Sequence, residues 1–193
     1  IPATEEPITL QAKTIDGRII QSEEKIDLGK YEEPRILSKI YLEPKNPKVS
    51  KDALSSLDDA DCIIAGPGDL YTNILPILVV PEIAKKLKKL KTQKIFVVNI
   101  ANKPFETKGY AVSDFINAVG KHLEAFPFQK VVINTNATNP IPKEFHYTYV
   151  ALDKEKVESL PYKTNVVQAD LVDNNFPLYH DSKKLAEVIM EQL

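Results

Sequence analysis

The chain has 193 residues, of which 43% are hydrophobic and 27% are charged, a balance that argues against a disordered protein and is typical of a globular one. Lysine and arginine number 25 against 27 aspartates and glutamates, and the resulting net charge of −2 argues against nucleic acid as the principal partner. This length favours one domain, or at most two, with a core that needs no crosslinks.

The cysteine content favours a reducing compartment, and the hydropathy pattern predicts no membrane-spanning segment. Cys62 is the only cysteine, which excludes an intrachain disulfide and a cysteine-ligated zinc site and favours the cytoplasm. The most apolar stretch, from Ile74 to Ala84, is interrupted by two prolines and is much shorter than the roughly 20 residues of a spanning helix. The opening Ile1-Pro2-Ala3 lacks a methionine and the features of a secretory leader, and it is consistent with a fragment cut from a longer chain.

The N-terminal part is predicted to form a β-hairpin followed by a third strand. Apolar and polar residues alternate between residues 8 and 26 around Asp16-Gly17, which is a two-residue turn signature. Another apolar run, from Ile36 to Leu42 between two prolines, predicts a further strand. Ser50 is placed to cap a short helix.

From Asp61 onward, short apolar strands alternate with amphipathic helices, the pattern of a parallel sheet. Strands are predicted at residues 62–65, 95–99, 131–133, 145–149 and 166–171, the first two of them buried. Helices are predicted after Pro81, at 112–123, from Asp153 to Leu160, and from Asp181 or Ser182 to an inward-facing Leu193. The lysines between residues 85 and 91 are predicted to form an exposed helix face rather than a nucleic-acid site.

The segment from Asp61 to Thr72 carries the strongest functional signal. A predicted strand runs into Gly66-Pro67-Gly68, and at the carboxyl end of such a strand an open α/β sheet binds its ligand, with phosphate as the preferred guest. The spacing matches neither a Walker loop nor the dinucleotide fingerprint, so an ordinary Gly-Pro-Gly turn explains it equally well. Asp69 would repel a bare anion, unless it caps the helix or binds a sugar hydroxyl or a metal.

A second polar segment, residues 99–110, follows the next predicted strand and therefore opens on the same edge of the sheet. Lys103 can neutralise a phosphate, Glu106 can hold a sugar hydroxyl, and Asp114 can cap its helix or reach the cleft. A surface loop with a capped helix explains each residue equally well when it is taken singly.

No metal site and no catalytic residue are predicted. The three histidines are far apart and have no second ligand at the usual spacing. Ser113 and Ser182 lie at helix starts and lack the Gly-x-Ser-x-Gly elbow of a nucleophile.

Several motifs, spaced along the whole chain and in the same order, resemble the gluconeogenesis factor (YvcK) family. They are the run from Gly66 to Pro76, the pattern of Pro104, Glu106, Thr107, Gly109, Tyr110 and Asp114, and the closing Ala169-Asp170-Leu171, His180-Asp181 and Lys184-Leu185-Ala186. The chain resembles the C-terminal part of a family member, because the family's Gly-rich opening segment does not occur in these residues.

The resemblance implies an α/β, Rossmann-like three-layer fold with a mostly parallel sheet plus an N-terminal β-hairpin. Residues 1–193 would form a single domain, with a hairpin and strand subregion at 1–45 and a Rossmann-like core at 50–193. The resemblance also implies a cytoplasmic bacterial protein that binds UDP-N-acetylglucosamine or a related nucleotide, without a cofactor or catalysis, and supports cell shape and growth on gluconeogenic carbon sources. A homodimer is left open.

The ligand-binding residues are expected in the two polar segments. They are Gly66, Pro67, Gly68, Asp69, Tyr71, Thr72, Asn99, Lys103, Glu106, Thr107 and Asp114. Asp69, Lys103 and Phe105 depart from the Ser, Gln and Gly that the family usually has, so these positions bear on the identity of the ligand.

Two alternatives remain. The related 2-phospho-L-lactate transferases of deazaflavin cofactor synthesis share the fold and would make the protein an enzyme. They have Gly-Pro-Ser-Asn-Pro where this chain has Gly66-Pro67-Gly68-Asp69-Leu70, which favours the branch without catalysis. The other alternative is a structural or partner-binding fragment.

Overall fold

The structure is a computed structural model and describes residues 1–29 and 35–193. The strands are β1 (Thr9–Thr14), β2 (Ile19–Gln21), β3 (Leu37–Glu43), β4 (Cys62–Ala65), β5 (Gln93–Val97), β6 (Ala101–Asn102), β7 (Lys130–Asn134), β8 (Thr148–Tyr149) and β9 (Asn165–Ala169). The helices are α1 (Glu23–Asp27), α2 (Lys51–Asp59), α3 (Leu75–Leu78), α4 (Pro81–Lys89), α5 (Val112–Leu123), α6 (Lys154–Ser159) and α7 (Ser182–Met190). A π-helical turn spans Leu70–Ile74, and a 3₁₀ turn spans Lys143–Phe145.

A parallel sheet in the order β4-β5-β7-β9 forms the centre of the fold. Alternation along β5 directs Phe96 to the face that packs against α3, α4 and α5, and directs Ile95 and Val97 to the face covered by Leu185 of α7. Both faces are therefore apolar, which is why the strands are continuous apolar runs in the sequence. The predicted α/β fold with a mostly parallel sheet and an N-terminal hairpin is confirmed.

The N-terminal strands form a separate antiparallel sheet in the order β2-β1-β3. Its hairpin turns at Asp16-Gly17, as predicted, with Gly17 at a φ of 90°. The second strand is shorter than predicted, because Ser22 has a φ of 81° and the chain continues into α1. Ile26, which the alternation assigned to the hairpin, is buried in α1.

Three further predictions about burial and strand extent are wrong. β4 was predicted as a buried strand, but it lies at an edge of the sheet and Ile64 is 45% exposed. Phe145 lies in the exposed 3₁₀ turn rather than in a strand, because only β8 pairs with β6. Leu193 is exposed, since α7 ends at Met190 before it can turn Leu193 inward.

No helix in the described part of the chain is long and apolar enough to span a membrane.

The two predicted helix caps differ in what their side chains do. Asp181 accepts hydrogen bonds from the Lys183 and Lys184 backbone N–H groups, at 2.9 and 3.1 Å, and so caps α7. Ser50 precedes α2 but makes no capping hydrogen bond with its side chain. We expect Asp181→Ala to lower the free energy of unfolding by about 1 kcal/mol, because two amides at the helix start lose their acceptor.

The matched control is Ser50→Ala, which should change the free energy of unfolding by less than about 0.5 kcal/mol. Urea unfolding of both variants measures the difference. If Asp181→Ala lowers the free energy of unfolding no more than Ser50→Ala does, the hydrogen bonds of the Asp181 cap do not stabilise the protein.

Candidate functional site

The turn after β4 is shaped by its close approach to β5. Gly66 has a φ of 89°, and a Cβ atom there would lie 2.6 Å from the carbonyl oxygen of Val97. Only glycine fits at this position, since both the backbone conformation and the available space exclude a side chain. Gly68 donates its N–H to Asn99 Oδ1 at 2.9 Å, so the turn is tied to the segment that follows β5.

A lysine joins this turn to the N-terminal part of the chain. Lys103 Nζ donates to Asp69 Oδ2 at 2.7 Å and to Asp27 Oδ1, and it lies 3.8 Å from Glu106 Oε1. Burial opposes the charge on the lysine, but the hydrogen bonds to Asp27 and Asp69 outweigh it and raise the pKa of Lys103. One ammonium thus lies among three carboxyl groups, and the cluster has no surplus of positive charge.

Glu106 lies beneath this cluster, fully buried, and holds the start of the π-helical turn. Its two carboxylate oxygens accept the backbone N–H of Tyr71 at 2.9 Å and the hydroxyl of Thr72 at 2.8 Å. Burial and the neighbouring Asp69 carboxylate raise the pKa of Glu106 to about 7, although the Thr72 hydroxyl and Lys103 act in the opposite direction. The protonated form of Glu106 is therefore favoured more than that of an exposed glutamate.

A cleft of about 930 Å³ opens at the carboxyl ends of β4 and β5. Of the predicted residues, Pro67, Gly68, Asp69, Asn99 and Lys103 line it. The prediction did not include the other residues that line the cleft. They are Asn73, Ile100 and Ala101 from the same two segments, Tyr147, and, from α7 and the residues before it, Leu178, Tyr179, His180, Ser182, Leu185, Ala186 and Ile189. The His180-Asp181 and Lys184-Leu185-Ala186 motifs were the available signal, but spacing along the chain did not show that α7 lies opposite the turn.

The remaining predicted residues are not on the cleft wall. Tyr71, Thr72, Glu106 and Thr107 are buried, and their hydrogen bonds hold the two loops in place from behind. Gly66 lines a neighbouring groove rather than the cleft.

Asp114 acts locally. Its carboxylate accepts the Ala111 N–H at 2.9 Å, so it caps the start of α5 and is not among the residues that line the cleft. This is one of the two roles that the sequence left open for it.

Two histidines illustrate different roles of a buried imidazole. His122 Nε2 accepts the Ile40 N–H at 3.0 Å and joins β3 to α5, so it is a structural residue. His180 lines the cleft. Burial lowers the pKa of His180 to about 4, although a hydrogen bond to the Val98 backbone acts in the opposite direction. His180 is therefore neutral at pH 7, and its Nε2 has no hydrogen-bond partner among the described residues.

The carboxyl groups of Asp27, Asp69 and Glu106 each offer an oxygen, and these oxygens lie within 4.8 Å of one another. Carboxylate oxygens commonly coordinate divalent cations such as Mg²⁺ and Ca²⁺. The Lys103 ammonium lies among the same oxygens and offsets part of their charge.

The family model described as "2-phospho-L-lactate transferase CofD" matches residues 1–174. The chain belongs to the CofD family. This CofD-family chain is also 31% identical to a gluconeogenesis factor of Listeria innocua over 198 residues and 27% identical to that of Bacillus subtilis over 201 residues. The alignments cover the whole of this chain but only 59% and 61% of the two relatives. The resemblance found in the motifs is confirmed.

A crystal structure of a UPF0052 family member from Bacillus halodurans has the same fold. It superposes on the CofD-family chain with a TM-score of 0.87 and 26% sequence identity, over 98% of this chain and 60% of the other. The chain therefore spans about three fifths of the length of these relatives.

Substitutions at the two glycines of the turn should differ in how much they lower the free energy of unfolding. Gly66→Ala should lower the free energy of unfolding by about 1–3 kcal/mol, because the new Cβ meets the Val97 carbonyl oxygen in a left-handed backbone conformation. Gly68→Ala should change it by less than about 1 kcal/mol, since the nearest atom to a Cβ there is 3.5 Å away. Chemical denaturation measures both, and a tolerated Gly66→Ala would contradict the close approach.

The buried Glu106 predicts a dependence of stability on pH. Its folded-state pKa of about 7 exceeds the ordinary value of 4.5, so the folded state binds a proton that the unfolded state has released between these values. The free energy of unfolding should therefore fall as pH rises through this window, by at most about 1.4 kcal/mol per pH unit.

Glu106→Gln should remove this slope from denaturant titrations at pH 5, 6 and 7. The control is Glu155→Gln, a change at an exposed carboxyl group of α6, which should leave the slope in place. If the free energy of unfolding of Glu106→Gln still falls with pH as in the wild type, other groups cause the pH dependence.

Proposed function

We propose that the cleft binds a nucleotide sugar of the UDP-N-acetylglucosamine class and that the protein is a cytoplasmic regulator of cell shape and gluconeogenic growth rather than a catalyst. One observation carries the proposal: loops from two adjacent parallel strands meet in one wall, through the Gly68–Asn99 and Asp69–Lys103 contacts. This wall lies at the sheet edge where open α/β proteins bind nucleotides. The similarity to gluconeogenesis factors supports the same assignment.

The size and lining of the cleft suit such a ligand. Its volume of about 930 Å³ is at the upper end of the range for small-molecule sites. Asp69, Asn73 and Asn99 offer acceptors and donors for sugar and ribose hydroxyls, and the Tyr147 and Tyr179 rings offer flat surfaces for a base.

The charge distribution orients the ligand. Because Lys103 is already shared by carboxylates, it has no free charge for a diphosphate, and the Gly68 N–H is already donated to Asn99. We therefore place the sugar hydroxyls beside Asp69 and the diphosphate away from it, where water can solvate the phosphates.

The turn sequence favours a regulator over a 2-phospho-L-lactate transferase, the enzyme after which the family is described. Gly66-Pro67-Gly68-Asp69-Leu70 differs from the Gly-Pro-Ser-Asn-Pro of those enzymes at three of five positions. The Listeria innocua and Bacillus subtilis relatives, which match the whole chain, bear the name gluconeogenesis factor.

A thermal melt with UDP-N-acetylglucosamine tests the binding. At 100 times its Kd the ligand should add about 2.7 kcal/mol to the folded state and raise the Tm. Gly68→Leu should abolish the increase, because Gly68 lines the cleft, and a circular dichroism spectrum checks that this variant folds. Gly68→Ala is the matched control and should retain most of the increase.

An unchanged Tm in the wild-type chain would contradict the binding assignment. A turnover assay with a deazaflavin acceptor, a phospholactate donor and a divalent metal tests the remaining part. Product formation would assign the cleft to a transferase instead.

A further inference from the structure

A second concave site adjoins the cleft at Tyr147. Its volume is about 800 Å³, which is within the range of small-molecule sites. Tyr147 lines both this site and the cleft, so the two are neighbours. We call the second site the cationic pocket, and its lining includes Arg35, Ile36, Phe105, Lys108, Ile141 and Lys143.

Part of the lining of the cationic pocket is apolar. Phe105, Ile36 and Ile141 lie there, and 52% of Ile36 is exposed. The Phe105 ring packs over Gly29, where it leaves no room for a Cβ atom. The guanidinium carbon of Arg35 lies 5.8 Å from the centroid of the same ring. The pocket therefore offers a fixed aromatic surface and an exposed aliphatic one.

The negative charge at the cationic pocket is already balanced. Asp16 is the only carboxyl group among the described residues that line it. Arg18 Nε donates to Asp16 Oδ2 at 2.9 Å, and Arg18 does not line the pocket. Asp16 therefore does little to offset the charges of the lining cations.

The positive charges of the lining have no such balance. Arg35 donates to three backbone carbonyl oxygens, among them that of Lys25 at 2.7 Å, and carbonyl groups carry no net charge that could neutralise it. Lys108 and Lys143 are exposed, and neither forms an ion pair or a side-chain hydrogen bond within residues 1–29 and 35–193. A concave apolar surface thus lies beside cations that lack a counter-charge.

We infer that the cationic pocket binds a small organic anion, in which a carboxylate, sulfonate or phosphate group is attached to an aliphatic or aromatic body. Lys108 and Lys143 hold the anionic group, and the body packs on Phe105 and Ile36. Both parts of the ligand are needed, because an inorganic anion covers no apolar surface and a neutral apolar compound balances no charge. The inference does not rest on the proposed function, which concerns the cleft.

A fluorescence titration of the 193-residue chain with 8-anilinonaphthalene-1-sulfonate tests the inference. This probe joins a sulfonate to an aromatic body, and it should occupy a saturable 1:1 site. N-phenyl-1-naphthylamine has the same rings without the sulfonate and should bind about tenfold more weakly, because it makes no charge-assisted contact.

The variants separate the two halves of the pocket. Lys108→Gln and Lys143→Gln together should raise the Kd of the sulfonate probe about tenfold, because both cations are lost. The matched control is the pair Lys85→Gln and Lys89→Gln on the exposed face of α4, which should leave the Kd unchanged.

Ile36→Glu should also raise the Kd, since it replaces apolar surface with a charge that repels the probe. Ile19→Glu is its control, because Ile19 is likewise 52% exposed but does not line the pocket. Circular dichroism melts check that every variant folds.

Three results would overturn the inference. They are the absence of a saturable site, an unchanged Kd in the double variant of Lys108 and Lys143, and equal binding of the neutral compound. Displacement of the probe by UDP-N-acetylglucosamine, or its loss in Gly68→Leu, would assign it to the cleft and overturn the inference too. The thermal melt with UDP-N-acetylglucosamine is read separately, so failure of the proposed function is distinguishable from failure of this one.

Discussion

The ion pairs of Lys103 are the interaction on which the arrangement of the site depends. The ammonium contacts Asp27 from α1 and Asp69 from the turn after β4, while Lys103 itself belongs to the segment after β5. Three segments that are distant in sequence therefore meet at one atom. The ion pairs of Lys103 therefore hold the three segments in place.

Glu106 extends this network into the core. A buried carboxylate is costly unless its oxygens are satisfied, and here both accept hydrogen bonds, from Tyr71 and Thr72. The remaining cost of burial appears as a raised pKa of Glu106.

The cleft and the neighbouring groove that Gly66 lines are two sides of the same Gly-Pro-Gly turn. Gly66 is required because β5 approaches closely, whereas Gly68 ties the turn to the segment after β5 through its backbone N–H, which donates to Asn99. One face of the turn contributes to a polar cleft closed by α7, and the other continues into an apolar strand edge.

The sequence by itself determined the fold class, the hairpin at Asp16-Gly17, the main helices and strands, and the two loops that open on one sheet edge, because local periodicity and turn residues encode these features. Tertiary structure alone decided which residues of those loops face the cleft. Glu106 and Thr72 have the composition of ligand-binding residues, but they are used to hold the loops together. It also decided that α7 with His180 forms the opposite wall and that β4 lies at an edge, since both depend on contacts between residues far apart in the chain, which no local pattern records.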